Sequence, residues 1–116
     1  MSVVWTVRLA VKAEMDFSDI VTWTAENFGE RQADIYAETL TLAIEALHDG
    51  PDLPGAKARD DIEPGIRTLH VARQDRNGRH FVVFKEAQNQ CIDVLRLLHD
   101  TMDLARHIPA ANDQAH

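Results

Sequence analysis

Two different spacings of hydrophobic positions divide the first third of the chain into an extended and a helical segment. Val3 to Ala10 (VVWTVRLA) is rich in β-branched and aromatic residues, which predicts a first strand. From about Ala13 to Phe28 the apolar residues recur every three or four positions, so they share one helical face. Gly29 marks the end of that helix.

A second helix is predicted over about Glu30 to His48. Gly50-Pro51 terminates it. A single glycine-centred break separates the two helices, which favours a hairpin in which they pack against each other. The apolar stripe of the second helix consists of Tyr36, Leu40, Ala43, Ile44 and Leu47.

The remainder of the chain changes to strand-like patterns. The segment 52–65 holds prolines, glycines and charged residues and is predicted to be a loop. Three strand-like runs follow at 66–73, 79–86 and 91–99, and Asn77-Gly78 indicates a tight hairpin turn because both residues tolerate positive φ. The expected fold is therefore α+β, in the order β-α-α-β-β-β, with the last three strands forming an antiparallel meander.

The run Phe81 to Phe84 is apolar without alternation, so we expect the sheet to be covered on both faces. The helical hairpin covers one face, and a partner protein is the candidate for the other. A chain of 116 residues has room for a single core. We therefore expect one domain over 1–109 and a disordered tail over 110–116.

The formal net charge is −7, and it is unevenly distributed. Acidic residues dominate the first 56 positions, whereas 57–96 is locally basic. An acidic protein gains little from phosphate neutralisation, which argues against general nucleic-acid affinity. A basic or partly disordered protein partner is the better expectation.

The single cysteine, Cys91, excludes an internal disulfide, as is typical of a reducing compartment. The apolar stretch Val3 to Val11 is too short and too polar for a signal peptide or a membrane span. The expected localisation is therefore the cytoplasm, without membrane association.

Several phrases occur in a characteristic order: FGERQA at Phe28 to Ala33, EPGIR at Glu63 to Arg67, and VLRLLH at Val94 to His99, followed by Met102-Asp103. Together they span nearly the whole chain and resemble toxins of the RelE/ParE superfamily, in its ParE branch. The resemblance implies a toxin of a type II toxin–antitoxin system. Such a toxin is held in a hetero-oligomeric complex by a cognate ParD-like antitoxin, meets DNA only through that antitoxin, and inhibits DNA gyrase when released.

Two alternatives stay open: a ribosome-dependent messenger ribonuclease of the RelE type, and a nontoxic relative that only binds its antitoxin. RelE-like cleavage uses clustered Lys and Arg and a C-terminal Tyr, whereas the only tyrosine here, Tyr36, lies in the second predicted helix. The main expectation is therefore a protein that is not an enzyme and needs no cofactor.

A functional patch that contacts the target is predicted on the sheet, where three arginines on successive strands could converge near His80. The competing interpretation is structural, with Arg96 paired to an acid such as Asp93 or Asp103. His99, Asp103 and His107 would share a face if helical, but no recognised metal motif supports a metal site. The predicted patch comprises Arg67, Arg79, Arg96, His99, Met102 and Asp103.

The antitoxin is expected on the acidic and apolar helical hairpin. An amphipathic segment would lie in a groove there, and a further strand could extend the sheet edge. Aromatic residues commonly anchor such interfaces. The residues assigned to antitoxin binding are Trp5, Phe17, Trp23, Tyr36 and Leu40.

Overall fold

The structure is a computed structural model that describes residues 4–108. It consists of a five-stranded sheet, a helical hairpin and a short C-terminal helix, which confirms the α+β class. The elements are β1 (Thr6–Leu9), α1 (Val11–Phe28), α2 (Glu30–Ala46), a 3-10 turn (Leu47–Asp49), β2 (Lys57–Ala58), β3 (Ile66–His70), β4 (His80–Ala87), β5 (Cys91–His99) and α3 (Leu104–His107).

Gly29 joins the two long helices. With φ 93° and ψ 162° it ends α1, donating its N–H to the carbonyl of Ala25, and its own carbonyl accepts from Ala33 in α2. A residue with a side chain is strained at this φ, which explains why glycine forms the break. The hairpin expected from the sequence is confirmed. Within residues 4–108, no helix is long and apolar enough to cross a membrane.

The strand order is β1-β5-β4-β3-β2. β3, β4 and β5 form the predicted antiparallel meander. β1 is parallel to β5, with Thr6 opposite Cys91 and Leu9 opposite Val94, so the first strand lies beside the last. The two-residue strand β2, in the segment predicted to be a loop, pairs with β3 and forms the opposite edge.

The predicted tight turn at Asn77-Gly78 is wrong. β3 ends at His70 and β4 begins at His80, and the positive φ angles in the connection between them belong to Gln74 (51°) and Asp75 (65°). The short turn lies instead between β4 and β5, at Asn89 and Gln90.

Gly78 is required for packing rather than for its φ. A Cβ at this position would collide with the side chain of Val71 and lie 3.1 Å from the ring of Tyr36. The connection 71–79 therefore lies close against α2, a contact that turn propensities do not reveal.

The helical hairpin packs on one face of the sheet, as predicted. This main core combines α1, α2 and the 3-10 turn with alternate residues of the central strands. Its fully buried members include Ala13, Leu40, Ala43, Leu47, Leu69, Val82, Phe84, Ile92 and Val94.

The other face carries a second cluster in which Ile66, Val83 and Leu98 pack against Leu104 of α3 and Ile108. The chain itself thus covers part of the face for which a partner was expected. The predicted boundary at 109 and the tail 110–116 lie outside the described residues.

Candidate functional site

An open groove of about 1240 Å³ lies between the helical hairpin and the ends of β4 and β5. The connection 71–79 forms one of its walls. Its lining combines apolar side chains (Ile20, Trp23, Phe28, Ile35, Met102) with polar ones, among them Asp19, Tyr36, Arg76, Arg79, His80 and His99.

The apolar part of the groove is unusually exposed for a folded protein. Trp23 is 56% exposed, Phe28 65%, and Ile35 and Met102 44% each. The rings of Trp23 and Phe28 meet edge to face with their centroids 5.7 Å apart. Large apolar side chains gathered in one exposed concavity are typical of a protein-binding surface.

Arg76 fixes the wall 71–79 to α2. Its Nε and Nη2 donate to the hydroxyl of Thr39 at 3.0 and 2.9 Å, and Nη2 also donates to the carbonyl of Ile35 at 3.1 Å. Nη1 lies 3.4 Å from Glu38. These contacts to one helix hold the groove open in a defined shape.

Tyr36 and His80 meet at the floor of the groove. The Tyr36 hydroxyl lies 2.6 Å from Nδ1 of His80 and accepts from the backbone N–H of Arg79 at 3.0 Å. Burial lowers the pKa of His80 to about 4 and raises the pKa of Tyr36 above its usual value. Near neutral pH His80 is therefore uncharged, and in the tautomer that leaves Nδ1 unprotonated this nitrogen accepts a hydrogen bond from the Tyr36 hydroxyl.

Asp100 connects the basic residues at the end of the sheet. Its Oδ2 lies 3.2 Å from Nε of Arg79 and 3.1 Å from Nε2 of His70, and its Oδ1 lies 3.5 Å from Nδ1 of His99. Hydrogen bonds from His70 and Arg79 lower the pKa of this carboxyl. Sequence reasoning missed both Asp100 and His70; the position of Asp100 directly after the last strand was the available signal.

The structure does not bring the three arginines of the predicted patch together. Arg67 pairs with Asp52 at 3.0 Å, Arg79 with Asp100. Arg79 lines the groove, as do His99 and Met102. Each guanidinium has its own carboxylate. Arg67 lies opposite Phe84 and Arg96 opposite Val83, and these two residues belong to the cores on opposite faces of the sheet, so the three arginines do not form one patch.

Arg96 binds Asp16 of α1, with Nε at 2.7 Å from one carboxylate oxygen and Nη2 at 3.0 Å from the other. An acidic partner was expected for this arginine, but Asp93 and Asp103 were the wrong candidates. Asp93 pairs with Arg8, and Asp103 caps α3 by accepting from the backbone of residue 105. The partner comes from a distant helix, which local spacing cannot show.

The residues assigned to antitoxin binding divide into two groups. Trp23 and Tyr36 line the groove. Trp5 and Phe17 are partly buried and pack against the main core, and Leu40 is fully buried. Leu40 therefore has no surface to offer, because the apolar stripe of α2 faces the sheet.

The possibility of a metal at His99, Asp103 and His107 required a helix through all three. His99 instead ends β5 and Asp103 precedes α3, so the three do not share a helical face. Over residues 4–108, no group of three or more His, Cys, Asp or Glu side chains is arranged to hold a metal ion.

Two relatives resemble the chain over most of its length. A protein of Mycobacterium tuberculosis named Toxin ParE1 is 30% identical over 100 residues, which cover 86% of this chain and 94% of the relative. The Toxin ParE1 of Caulobacter vibrioides is 26% identical over 101 residues, covering 87% and 95%.

A solved structure described as the chromosomal ParDE TA system from P. aeruginosa has the same fold, with a TM-score of 0.66 at 18% identity, covering 84% of this chain and 98% of its own. The family model of the ParE toxin of the type II toxin–antitoxin system parDE matches residues 7–104. That match, together with the relatives, shows that the chain belongs to the ParE toxin family of type II toxin–antitoxin systems.

Proposed function

We propose that this toxin is neutralised by a cognate ParD-like antitoxin, an amphipathic segment of which lies in the groove. The exposed apolar wall formed by Trp23, Phe28, Ile35 and Met102 is the observation that carries the proposal. Burying it against a partner removes apolar area from water, which is the main favourable term in protein association.

The charge of the hairpin indicates the chemistry of the partner segment. Asp19 lines the groove, and the two helices that contribute to its wall carry further exposed acids, including Glu26, Glu30 and Asp34. A segment with basic residues flanking its apolar face would complement this surface. If the segment folds on binding, its apolar anchors must also offset the entropy of ordering it.

The chain offers a matched test of this contact. Ile35 and Leu42 lie on α2 with the same exposure of 44%, but only Ile35 lines the groove. Antitoxin encoded by the neighbouring reading frame should bind Ile35→Ala roughly tenfold more weakly, as for interface anchors that contribute more than about 1 kcal/mol. Leu42→Ala should bind like the unchanged chain in the same calorimetric titration. Equal affinities of the two variants would reject the groove as the contact.

We propose further that the released toxin inhibits DNA gyrase and so blocks replication, as the resemblance to ParE toxins implies. The purified toxin should prevent gyrase from supercoiling relaxed plasmid or trap cleaved DNA, and adding the antitoxin should reverse the effect. Normal supercoiling with no trapped cleavage, at toxin concentrations above that of gyrase, would reject gyrase as the target.

Cleavage of messenger RNA is the second candidate because Tyr36, His80 and Arg79 all line the groove, where a tyrosine and a histidine can transfer protons and an arginine can bind phosphate. Their environment opposes this role. Arg79 is paired with Asp100, and the lowered pKa of His80 keeps it uncharged. A nontoxic relative that only binds the antitoxin is the third candidate.

Induced expression with and without the neighbouring reading frame separates these functions. Killing with filamentation, rescued by the neighbour, supports a toxin directed at replication. Growth arrest with cleaved translated messages supports the ribonuclease, and normal growth supports the inert antitoxin-binding relative.

A further inference from the structure

A second, smaller pocket lies away from the groove, on the face of the sheet opposite the helical hairpin. Its volume is about 390 Å³, and it is lined by Gly55, Lys57, Arg59, Thr68, His70 and Phe81. Lys57 is directly opposite Thr68 in the β2–β3 pair, and His70 is opposite Phe81 in the β3–β4 pair. Directly opposed residues share a face, so the strand pairing itself brings these side chains together.

The two cations of this pocket keep hydrogen-bonding capacity for a ligand. Among residues 4–108, Lys57 has no ion-pair partner. Arg59 holds the exposed Asp61 through Nε and Nη2, both at 3.0 Å, and its Nη1 donates to no described side chain. Within the described residues, the pocket thus carries one cation outside any ion pair, Lys57, and a second, Arg59, whose charge Asp61 partly offsets.

The remaining wall is built around His70, which two hydrogen bonds and one ring contact hold in place. His70 accepts from the backbone N–H of Ala72 at Nδ1 and directs Nε2 toward Asp100 at 3.1 Å. Its ring meets Phe81 edge to face, with the centroids 4.9 Å apart. Because Arg79 also pairs with Asp100, that carboxylate is partly neutralised. Lys57 and Arg59 therefore provide the charge, and Phe81 provides an aromatic surface.

We propose that this pocket binds the phosphate group of a nucleotide, with Lys57 and Arg59 on the phosphate and the base against Phe81. Guanidinium and ammonium groups are the usual phosphate donors in proteins. Aromatic side chains accept bases of any sequence. The volume falls within the roughly 300–1000 Å³ typical of small-molecule sites. The site lies outside the groove, so it does not depend on the proposed mode of antitoxin binding.

The test is to titrate the full chain at low salt with AMP, with inorganic phosphate and with adenosine in separate experiments. Binding is monitored through the amide chemical shifts. AMP should bind more tightly than either of the others. It should shift the amides of Thr68, His70 and Phe81 and leave the groove residue Ile35 unchanged. Phosphate binding as tight as AMP, or shifts confined to the groove, would overturn the nucleotide site.

Variants that remove the same charge at different positions distinguish specific binding of AMP in the pocket from nonspecific electrostatic attraction of AMP to the protein. Lys57→Gln should weaken AMP binding roughly tenfold, in line with the loss of a charge-assisted hydrogen bond. Lys12→Gln removes the same charge from an exposed position on α1 and should leave binding unchanged. Asp61→Asn, which frees Arg59, should tighten it. Equal weakening by the two lysine variants would overturn the proposal, and so would unchanged binding in Lys57→Gln.

Discussion

Asp16 joins α1 to β5 through one carboxylate. β1 ends at Leu9, so the edge of β5 beyond Val94 has no neighbouring strand among residues 4–108. Asp16, on the helix that follows β1, accepts hydrogen bonds from the backbone N–H of Leu97 at 3.0 Å and from Nε and Nη2 of Arg96. It thereby provides a hydrogen-bond acceptor for a backbone N–H at the unpaired edge of β5 and a counter-charge for a guanidinium that is only 19% exposed.

Asp16→Asn should destabilise the protein by about 3 kcal/mol, because removing one partner leaves a largely buried charge uncompensated. Urea unfolding at neutral pH measures the change. Asp93→Asn is the control, since its partner Arg8 is 59% exposed and such pairs contribute under about 1 kcal/mol. If both variants lost the same free energy of unfolding, the Asp16–Arg96 pair would contribute no more than an exposed ion pair.

His80 should make the protein sensitive to mild acid. Its pKa is about 4 in the fold, against an ordinary value of 6.5, so the unfolded chain takes up the proton first. The buried, neutral His80 therefore leaves the free energy of unfolding unchanged above pH 6.5. As the pH falls from 6.5 toward 4, protonation of this histidine in the unfolded chain lowers that free energy. His80→Gln should flatten the fall in urea midpoint between pH 6.5 and 4.5, whereas His48→Gln, at an exposed position, should not. An unchanged slope in His80→Gln would contradict the assignment.

Residue types indicated the kind of contact but not the partner. The sequence predicted that Arg96 needs an acid, because a buried guanidinium without one is costly. It did not predict Asp16, which is eighty positions away. The same limit explains why Tyr36 and His80 were each noted but not paired: only the packing of α2 against the connection 71–79 joins them.

At the scale of elements, the connection 71–79 determines the shape of the groove. Arg76 ties it to α2 by side-chain hydrogen bonds, and Gly78 allows it to approach Tyr36. Neither β3 nor β4 supplies this wall, so the groove depends on an irregular segment held by specific contacts.

Gly78→Ala should destabilise the protein by about 1–3 kcal/mol, because the added methyl group collides with Val71 in a packed site. Amide hydrogen exchange at Arg79 should also accelerate, since its N–H is bonded to the displaced Tyr36 hydroxyl. Gly65→Ala is the comparison: its Cβ would meet nothing within 4 Å, and only a φ of +90° opposes it. We expect a cost of about 1 kcal/mol there and unchanged exchange at Arg79.

The sequence predicted the elements that have strong hydrophobic periodicity, but it did not predict which elements lie next to each other in the fold. The hairpin around Gly29 and the three consecutive strands follow from local patterns. The prediction of a tight turn at Asn77-Gly78 failed because Gly78 is required by close packing against Val71 and Tyr36 and not by its backbone conformation. The parallel pairing of β1 with β5 leaves no local trace in the sequence, since it joins residues near opposite ends of the chain.

Across the whole molecule, the two concave surfaces differ in charge. The groove lies beside an acidic helical hairpin and exposes aromatic and aliphatic side chains, whereas the smaller pocket carries Lys57 and Arg59. The net charge of −7 is therefore unevenly spread, with acids concentrated on the helical hairpin and Lys57 and Arg59 at the smaller pocket.

Association with a basic antitoxin should be accelerated by this acidic hairpin. We expect the association rate, measured by stopped-flow fluorescence of Trp23, to fall by roughly tenfold or more between low salt and 0.5 M salt, because ions screen long-range attraction. The dissociation rate should change much less. A salt-independent association rate would indicate that apolar contact alone guides the encounter.

The position of β1 beside β5 has a consequence for synthesis of the protein on the ribosome. The helical hairpin can form as soon as residue 46 has emerged, but β1 has no strand to join until Cys91 to Val94 follow. Contacts this distant in sequence form late, because the intervening chain must first be closed into a loop. A chain abandoned before its final strand would leave β1 without a partner strand and β4 paired only with β3, so a cell that stops translating midway makes fragments without the completed sheet.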